Sequence, residues 1–585
     1  MLPDISTMTA ELSRHMLSFL PEFLVCFTIV LLLLLRVLGS SKKSHLGHLA
    51  LVMTLVALGV SVLQWLAMNF SPKGGDDANL FYSILKGFKA FEETGGPQTD
   101  ELFTSLIVYD RMAVALKIFL LSFTALIMWL TLLTGIPDRE DSADFNVLLL
   151  GATLGMMLMA SSNHLLMIWI AIEMASLPSY ALAGFLKGRR QSSEAALKYV
   201  VYGGGAAGVM LYGISLLAGK FGTAYVPDLA RAYLAATAAG PFDPILLLGT
   251  LFVLIGIGFK LAAVPFHFWC PDVFEGASAE VAGYLSVASK GAALALLARL
   301  TMTFAGLDPL ASGLDAKQVV RFLVPALAFF AALTATFGNM AAYLQTNLKR
   351  LLAYSTIAHA GYMMMALTPL TADGVKAMLF YLIAYLFMNL GAFAVVAFLR
   401  NQTGSEDLRD YRGLVRRSPW MVITLCVFLL SLLGIPPLVG FYAKFQVFAV
   451  LYDASRMYNA QGEAGLGTLM FGLLVVGGIN TVLSAMYYLK VMKVMIIEGS
   501  VEDLEGREPT PLPEPAGPRV FAVLTALAVL ALGLVVSPVV SQSDRGGSRY
   551  GPAQKTAEAT PAGPPGPPRA VPGPPGPQPR QPGTE

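Results

Sequence analysis

The stretch LIGIGFKLAAVPFHFW, residues 254–269, carries Lys260 in the middle of an apolar run and Pro265 five residues later. A charged side chain near the centre of a membrane helix costs about 2.5–3.5 kcal/mol, and by default marks an ion path or a paired site. A proline inside a helix cannot donate to the carbonyl four residues back, and it kinks or breaks the helix. Pro265 therefore frees the carbonyl of Leu261, next to the lysine. Broken helices at membrane depth are tolerated where they line a cavity or are buried in protein. The segment reads as a broken membrane helix holding a titratable group.

The rest of the chain agrees with a membrane setting. Of its 585 residues only 13% are Asp, Glu, Lys or Arg and 55% are apolar, whereas soluble domains carry about 25% charged residues. The 40 basic and 38 acidic residues nearly cancel, so no global field exists to attract nucleic acid or steer an acidic substrate. Cys26, Cys270 and Cys426 lie far apart and the six histidines are scattered. No disulfide framework, zinc site or iron–sulfur spacing follows, and no metal or redox cofactor is expected on the chain. GGGAAG, beginning at Gly203, lacks the G-K-[ST] ending of a phosphate loop and reads as close helix packing.

A spanning helix needs about 20 mostly apolar residues. About fourteen such runs emerge, with cores at 17–39, 46–69, 104–134, 145–161, 163–187, 193–218, 245–274, 278–304, 319–341, 348–369, 373–400, 418–452, 466–496 and 518–541. The fold class is an all-α polytopic membrane protein. The expected divisions are 1–140 (helices 1–3 with a polar loop at 70–103), 141–304 (helices 4–8), 305–500 (helices 9–13), 501–541 (linker and helix 14) and 542–585. That last stretch, rich in Pro and Gly, cannot bury a core and is expected to be disordered.

Short loops after runs one, five, nine, eleven and thirteen collect Lys42 and Lys43, then Lys187, Arg189 and Arg190, then Lys349 and Arg350, then Arg409, Arg412, Arg416 and Arg417, then Arg507 and Arg519. The positive-inside rule makes those loops cytoplasmic and both termini periplasmic. The loop at 70–103, with Asp76, Asp77, Glu92, Glu93, Asp100 and Glu101, is acidic and falls on the opposite side.

Ionisable residues within the runs carry the functional reading. Glu173 lies in HLLMIWIAIEMASLPSYALAGF, Lys290 is central in GYLSVASKGAALALL, and Lys444 follows the break in LLGIPPLVGFYAKFQVF. Lys198 stands close to a basic loop, so snorkelling to the interface competes there with a functional role. Lys117, Lys490 and Lys493 lie near run ends and read as snorkelling. Pro178 follows Glu173 by five residues and frees the Met174 carbonyl, while Pro436 and Pro437 free those of Leu432 and Leu433. The seventh and twelfth runs are both broken and lie five runs apart. This suggests two five-helix repeats of opposite orientation, an arrangement common in transporters.

A lysine has a reference pKa near 10.4, and bringing any lysine to about 7 takes roughly 4.6 kcal/mol of differential interaction. Desolvation and a neighbouring carboxylate act on it in opposite directions. A Glu173–Lys260 pair would therefore act as a switch, with Lys290 and Lys444 as further proton-holding positions joined by water. His359, in AYSTIAHAGYMMMAL, either relays a proton or is hydrogen-bonded core packing. His267 is the weaker candidate.

Four strings, IEMASLPSYAL, GFKLAAVPFHFWCPDVFEGA, NLKRLLAYSTIAHAGYMM and GIPPLVGFYAKF, resemble the antiporter-like membrane subunits of respiratory complex I, over roughly residues 105–500. The resemblance implies fourteen helices, two inverted five-helix repeats and broken seventh and twelfth helices. It implies that Glu173 and Lys260 are the acid and base of one half-channel, that Lys290 is the connecting lysine, Lys444 the exit-side lysine and Lys198 an additional lysine of the sixth helix. Family member M usually carries glutamate where Lys444 stands, and member L has a long lateral helix absent here. The Pro-rich tail and the loop at 70–103 depart from the compact family pattern.

The resemblance further implies a proton-translocating subunit of the cell inner membrane. NADH, FMN, iron–sulfur clusters and quinone would reside in partner subunits, and subunit M and small membrane subunits would be neighbours alongside lipid, water and protons. A subunit of a multisubunit cation/proton antiporter or membrane-bound hydrogenase is the alternative; a non-transporting scaffold is a further one.

Overall fold

The computed structural model describes residues 15–39, 46–69, 99–138, 141–239, 243–307, 316–500, 506 and 510–550. Lys42, Lys43, Arg507, most of the acidic loop and residues 551–585 lie outside these. The apolar runs fold as helices: α1 (Leu20–Val37), α2 (Leu46–Asn69), α3 (Arg111–Thr134), α4 (Ser142–Ser161), α5 (Leu165–Ala183) and α6 (Arg190–Phe221). A short α7 (Val226–Ala239) precedes α8 (Pro244–Leu261), which stops before Pro265 and resumes as α9 (Trp269–Gly276). Then come α10 (Ala279–Phe304), α11 (Lys317–Tyr343), α12 (Leu348–Leu367) and α13 (Ala372–Thr403). A second broken helix follows as α14 (Pro419–Leu433) and α15 (Val439–Ala460), before α16 (Ala464–Ile496), α17 (Ala516–Leu534) and α18 (Ser537–Gly546).

Among the described residues, twelve helices are long and apolar enough to cross a membrane. α12 and the broken α14–α15 lie outside those twelve and fill the two remaining expected runs. The only described sheet is a hairpin, β1 (Asp100–Leu102) with β2 (Ile107–Tyr109), where the sequence suggested loop and the start of a helix.

The termini of the helices follow their side chains. Asp110 caps α3 by accepting from Ala113 N at 2.7 Å, and Asn347 caps α12 by accepting from Arg350 N at 3.1 Å; such caps satisfy backbone donors that a helix leaves orphaned. α10 is buried along its whole length and α13 along most of it, while α1, α2, α6 and α16 present much of their surface outward. An apolar surface facing outward is what lipid requires of the perimeter of a bundle.

Two sets of contacts recur at a fixed sequence offset. Leu165 N donates to Ala224 O (2.8 Å) and Val226 N to Asn163 O (3.0 Å), tying the α4–α5 connection to the α6–α7 connection. Leu348 N donates to Glu406 O and Leu408 N to Thr346 O, both at 2.9 Å, tying α11–α12 to the loop after α13. From 165 to 348 and from 163 to 346 the offset is 183 residues. At the same offset, Gly155 lies against the backbone of Ala175 and Gly338 against that of Ala358, each leaving no room for a Cβ. Small residues let two membrane helices approach this closely.

The chain stays ordered further than the sequence suggested. The second half of α18 and the turn Ser548–Tyr550 lie within the stretch read as a disordered tail from 542. The reason is a buried ion cluster. Arg549 pairs with Asp110, and Arg299 donates to the same carboxylate at 2.8 Å. Burial alone would push the Asp110 carboxyl up, but the Arg299 and Arg549 guanidiniums outweigh it and hold it well below the usual carboxylate range.

Candidate functional site

In the first half, α8 ends one residue after Lys260, and Ala262 adopts the left-handed conformation, with φ 55°. The lysine thus sits in the last turn of a half-helix, where unpaired carbonyls carry partial negative charge and favour a cation. Its Nζ is fully buried and donates to Ser176 Oγ at 3.0 Å. Ser176 lies one turn after Glu173 on α5. Glu173 interacts electrostatically with Lys260 but makes no direct ion pair, and its Oε1 has no hydrogen-bond partner. Pro178 does not break α5, which runs through it to Ala183. Trp269 Nε1 donates back across the α8–α9 break to Phe259 O at 3.0 Å, pinning the two half-helices.

Lys290 is the first residue after a single wide turn, Leu285–Ser289, inside α10. Such π-turns are frequent at functional positions in helices. The ammonium is fully buried, lies 5.3 Å from the Phe274 ring and 5.6 Å from Trp269, and is 4.0 Å from Cys270 Sγ. Cation–π contacts of this kind stabilise a charge that has lost its water.

In the second half, Lys444 lies on α15, just past its break. Its Nζ reaches back to the free end of α14, donating to Leu433 O at 2.9 Å, and stands 4.8 Å over the Tyr362 ring. This is one of the two carbonyls that Pro436 and Pro437 were expected to release. Gly434, at φ +94°, turns the chain here, and a side chain on it would meet the Lys444 methylenes. His359, on α12, is buried with Nδ1 2.8 Å from Tyr381 OH and Nε2 3.2 Å from Tyr488 OH. The Tyr488 hydroxyl is also 2.5 Å from Ser355 Oγ. Every group in that chain can give or take a proton.

Two lysines read differently in three dimensions. Lys198 is 38% exposed and pairs with Asp272 (2.7 Å) and Glu194 (2.8 Å), in a network that Arg350 extends to Glu275. It stands apart from the buried lysines. Lys117, read as snorkelling, is instead buried and 2.7 Å from the fully buried Glu22 of α1. Glu22 and Arg299 escaped the sequence reading; their only signal was a charge inside an apolar run. His267 is buried between Phe268 and Phe337. Among the described residues no group of three His, Cys, Asp or Glu is placed to hold a metal.

Broken helices, buried lysines at their ends and a helical perimeter define a polytopic, antiporter-like membrane protein. The family described as "NADH:quinone oxidoreductase/Mrp antiporter, TM" matches residues 162–462, and the chain belongs to it. It is similar to NADH-quinone oxidoreductase subunit N of Anaeromyxobacter sp. (strain Fw109-5), with 38% identity over 76% of this chain and 85% of the relative. It is also similar to subunit N of Chlorobium chlorochromatii, at 34% identity over 92% of this chain and 95% of that one. Among solved structures, a chain of respiratory complex I from Thermus thermophilus superposes with a TM-score of 0.64 at 29% identity, covering 89% of this chain and 98% of that one.

Proposed function

We propose that this chain is the subunit N of a respiratory complex I, moving protons across the membrane while partner subunits pass electrons from NADH to quinone. NADH, FMN, iron–sulfur clusters and quinone belong to those partners in this reading, with subunit M and small membrane subunits as neighbours. Residues 141–304 and 305–500 act as two inverted repeats, and both termini face the periplasm of an inner-membrane protein.

The observation that carries the reading is the placement of Lys260 and Lys444, each a buried ammonium at the C-terminal end of a half-helix. Lys260 exchanges its proton as Glu173 approaches or withdraws. Lys290 receives it, the His359 network connects onward, and Lys444 releases it. Lys198 assists at the mouth, where its carboxylate partners hold it. Moving one charge against 100 mV costs about 2.3 kcal/mol, so the lysines need an external drive.

Lys260→Ala in the assembled complex, reconstituted in vesicles, is expected to remove most proton pumping. Normal pumping with normal assembly would sink the reading. Co-purification with cation/proton antiporter subunits instead of NADH-oxidising ones would favour the antiporter alternative.

A further inference from the structure

A groove of about 830 Å³ opens where α11 and α16 end and the loop after α13 crosses them. Arg409, Arg412, Lys490 and Lys493 line it against a single carboxylate, Glu498. Glu498 engages Arg412 at 3.1 Å and Lys493 at 3.9 Å, while Lys490 donates to the Tyr343 carbonyl at 3.2 Å. Two neighbouring acids make no ion pair with the groove cations: Asp407 accepts from Arg409 N at 2.9 Å and Asp410 from Ser405 Oγ. The Arg409 side chain is exposed.

An apolar track leads away from these cations. Val475, Ile479, Val482, Met486 and Leu489 are all exposed. Their spacing alternates four and three residues, which places them on one face of α16, and Lys493 ends the row. One face of one helix thus joins a basic head position to an apolar stripe running to membrane depth. Basic pockets at helix ends recognise anionic headgroups, and guanidinium forks match phosphate oxygens.

We propose that this groove binds an anionic two-chain phospholipid, its phosphate among Arg409, Arg412 and Lys493 and its acyl chains along the α16 stripe. A free anion would use the cations and leave the stripe unused. A protein partner would need acidic side chains immediately beside an apolar helix face.

The test uses the assembled complex in nanodiscs containing photoreactive phosphatidylglycerol or phosphatidylcholine, with labelled peptides mapped. The phosphatidylglycerol probe is expected to label residues 475–497 preferentially. Labelling should weaken on the order of thirtyfold in R409Q/R412Q, from the surface attraction of two basic residues. R409K/R412K should retain most of it, and gel-resolved assembly separates lost binding from lost folding. Equal labelling by both lipids, displacement by millimolar inorganic phosphate, or cross-linking of the groove to a neighbouring subunit would each overturn the proposal.

Discussion

Lys260 and Lys444 occupy related places in the two halves, yet their surroundings differ. Lys260 lies in the last turn before its break, whereas Lys444 lies in the second turn after its own and reaches back to the earlier end. At the 183-residue offset, Glu173 corresponds to Thr356 and Ser176 to His359. The first lysine therefore has a carboxylate nearby, and the second has only a carbonyl, a ring face and a histidine on its side of the bundle. A charge beside a lysine changes its protonation when it moves; fixed dipoles hold the charge steady. In the proposed pathway the first half would be the one that switches, and the second the one that releases.

The largest effect that would break this contrast comes from Glu173→Gln. Losing about 1.4 kcal/mol of charge–charge interaction corresponds to a tenfold change in protonation equilibrium. Pumping by the assembled complex in vesicles should fall on the order of tenfold, while Thr356→Val, whose hydroxyl donates to Leu352 O of its own helix, should leave it unchanged. Equal losses would erase the distinction between the halves. Ser176→Ala comes next. It removes one acceptor from Lys260, a change of about two- to tenfold for a typical net hydrogen bond. The pH profile of pumping should shift with it, which a purely packing role for the serine would not produce. Lys198→Ala should be smallest, within about twofold, because exposed ion pairs are screened and contribute little. A loss as deep as that of Lys260→Ala would place Lys198 inside the buried path.

A different pair shows how much position decides. Glu22 and Lys117 repeat the acid–lysine chemistry in direct contact, outside the two halves. Lys117 lies two turns into its helix, and from sequence alone such a lysine can reach solvent. Burial inside the bundle denies it water, and the Glu22 carboxylate reaching over from α1 becomes its partner.

Much of the site was legible before the fold. Lysines inside apolar runs, prolines that release carbonyls, and paired breaks five runs apart all act locally, through desolvation and backbone chemistry. The freed Leu433 carbonyl is an example, since Pro437 is four residues ahead of it. Ser176 beside Lys260, the aromatic faces over Lys290, and the phenols on either side of His359 were not legible. They join residues 16 to 129 positions apart, and nothing in either segment specifies the other.

The amino-acid sequence by itself determined the membrane setting, the broken helices and the burial of Lys260, Lys290 and Lys444 deep in their runs, because the cost of a charge or an orphaned carbonyl in lipid depends on the residues nearby. Tertiary structure decided which groups meet those charges. It turned Lys198 outward to carboxylates, gave Lys117 a buried one, kept Glu173 near Lys260 without contact, and drew Arg549 back to Asp110. Interactions between charges depend on distance and on exclusion of water, and only the packed bundle sets both.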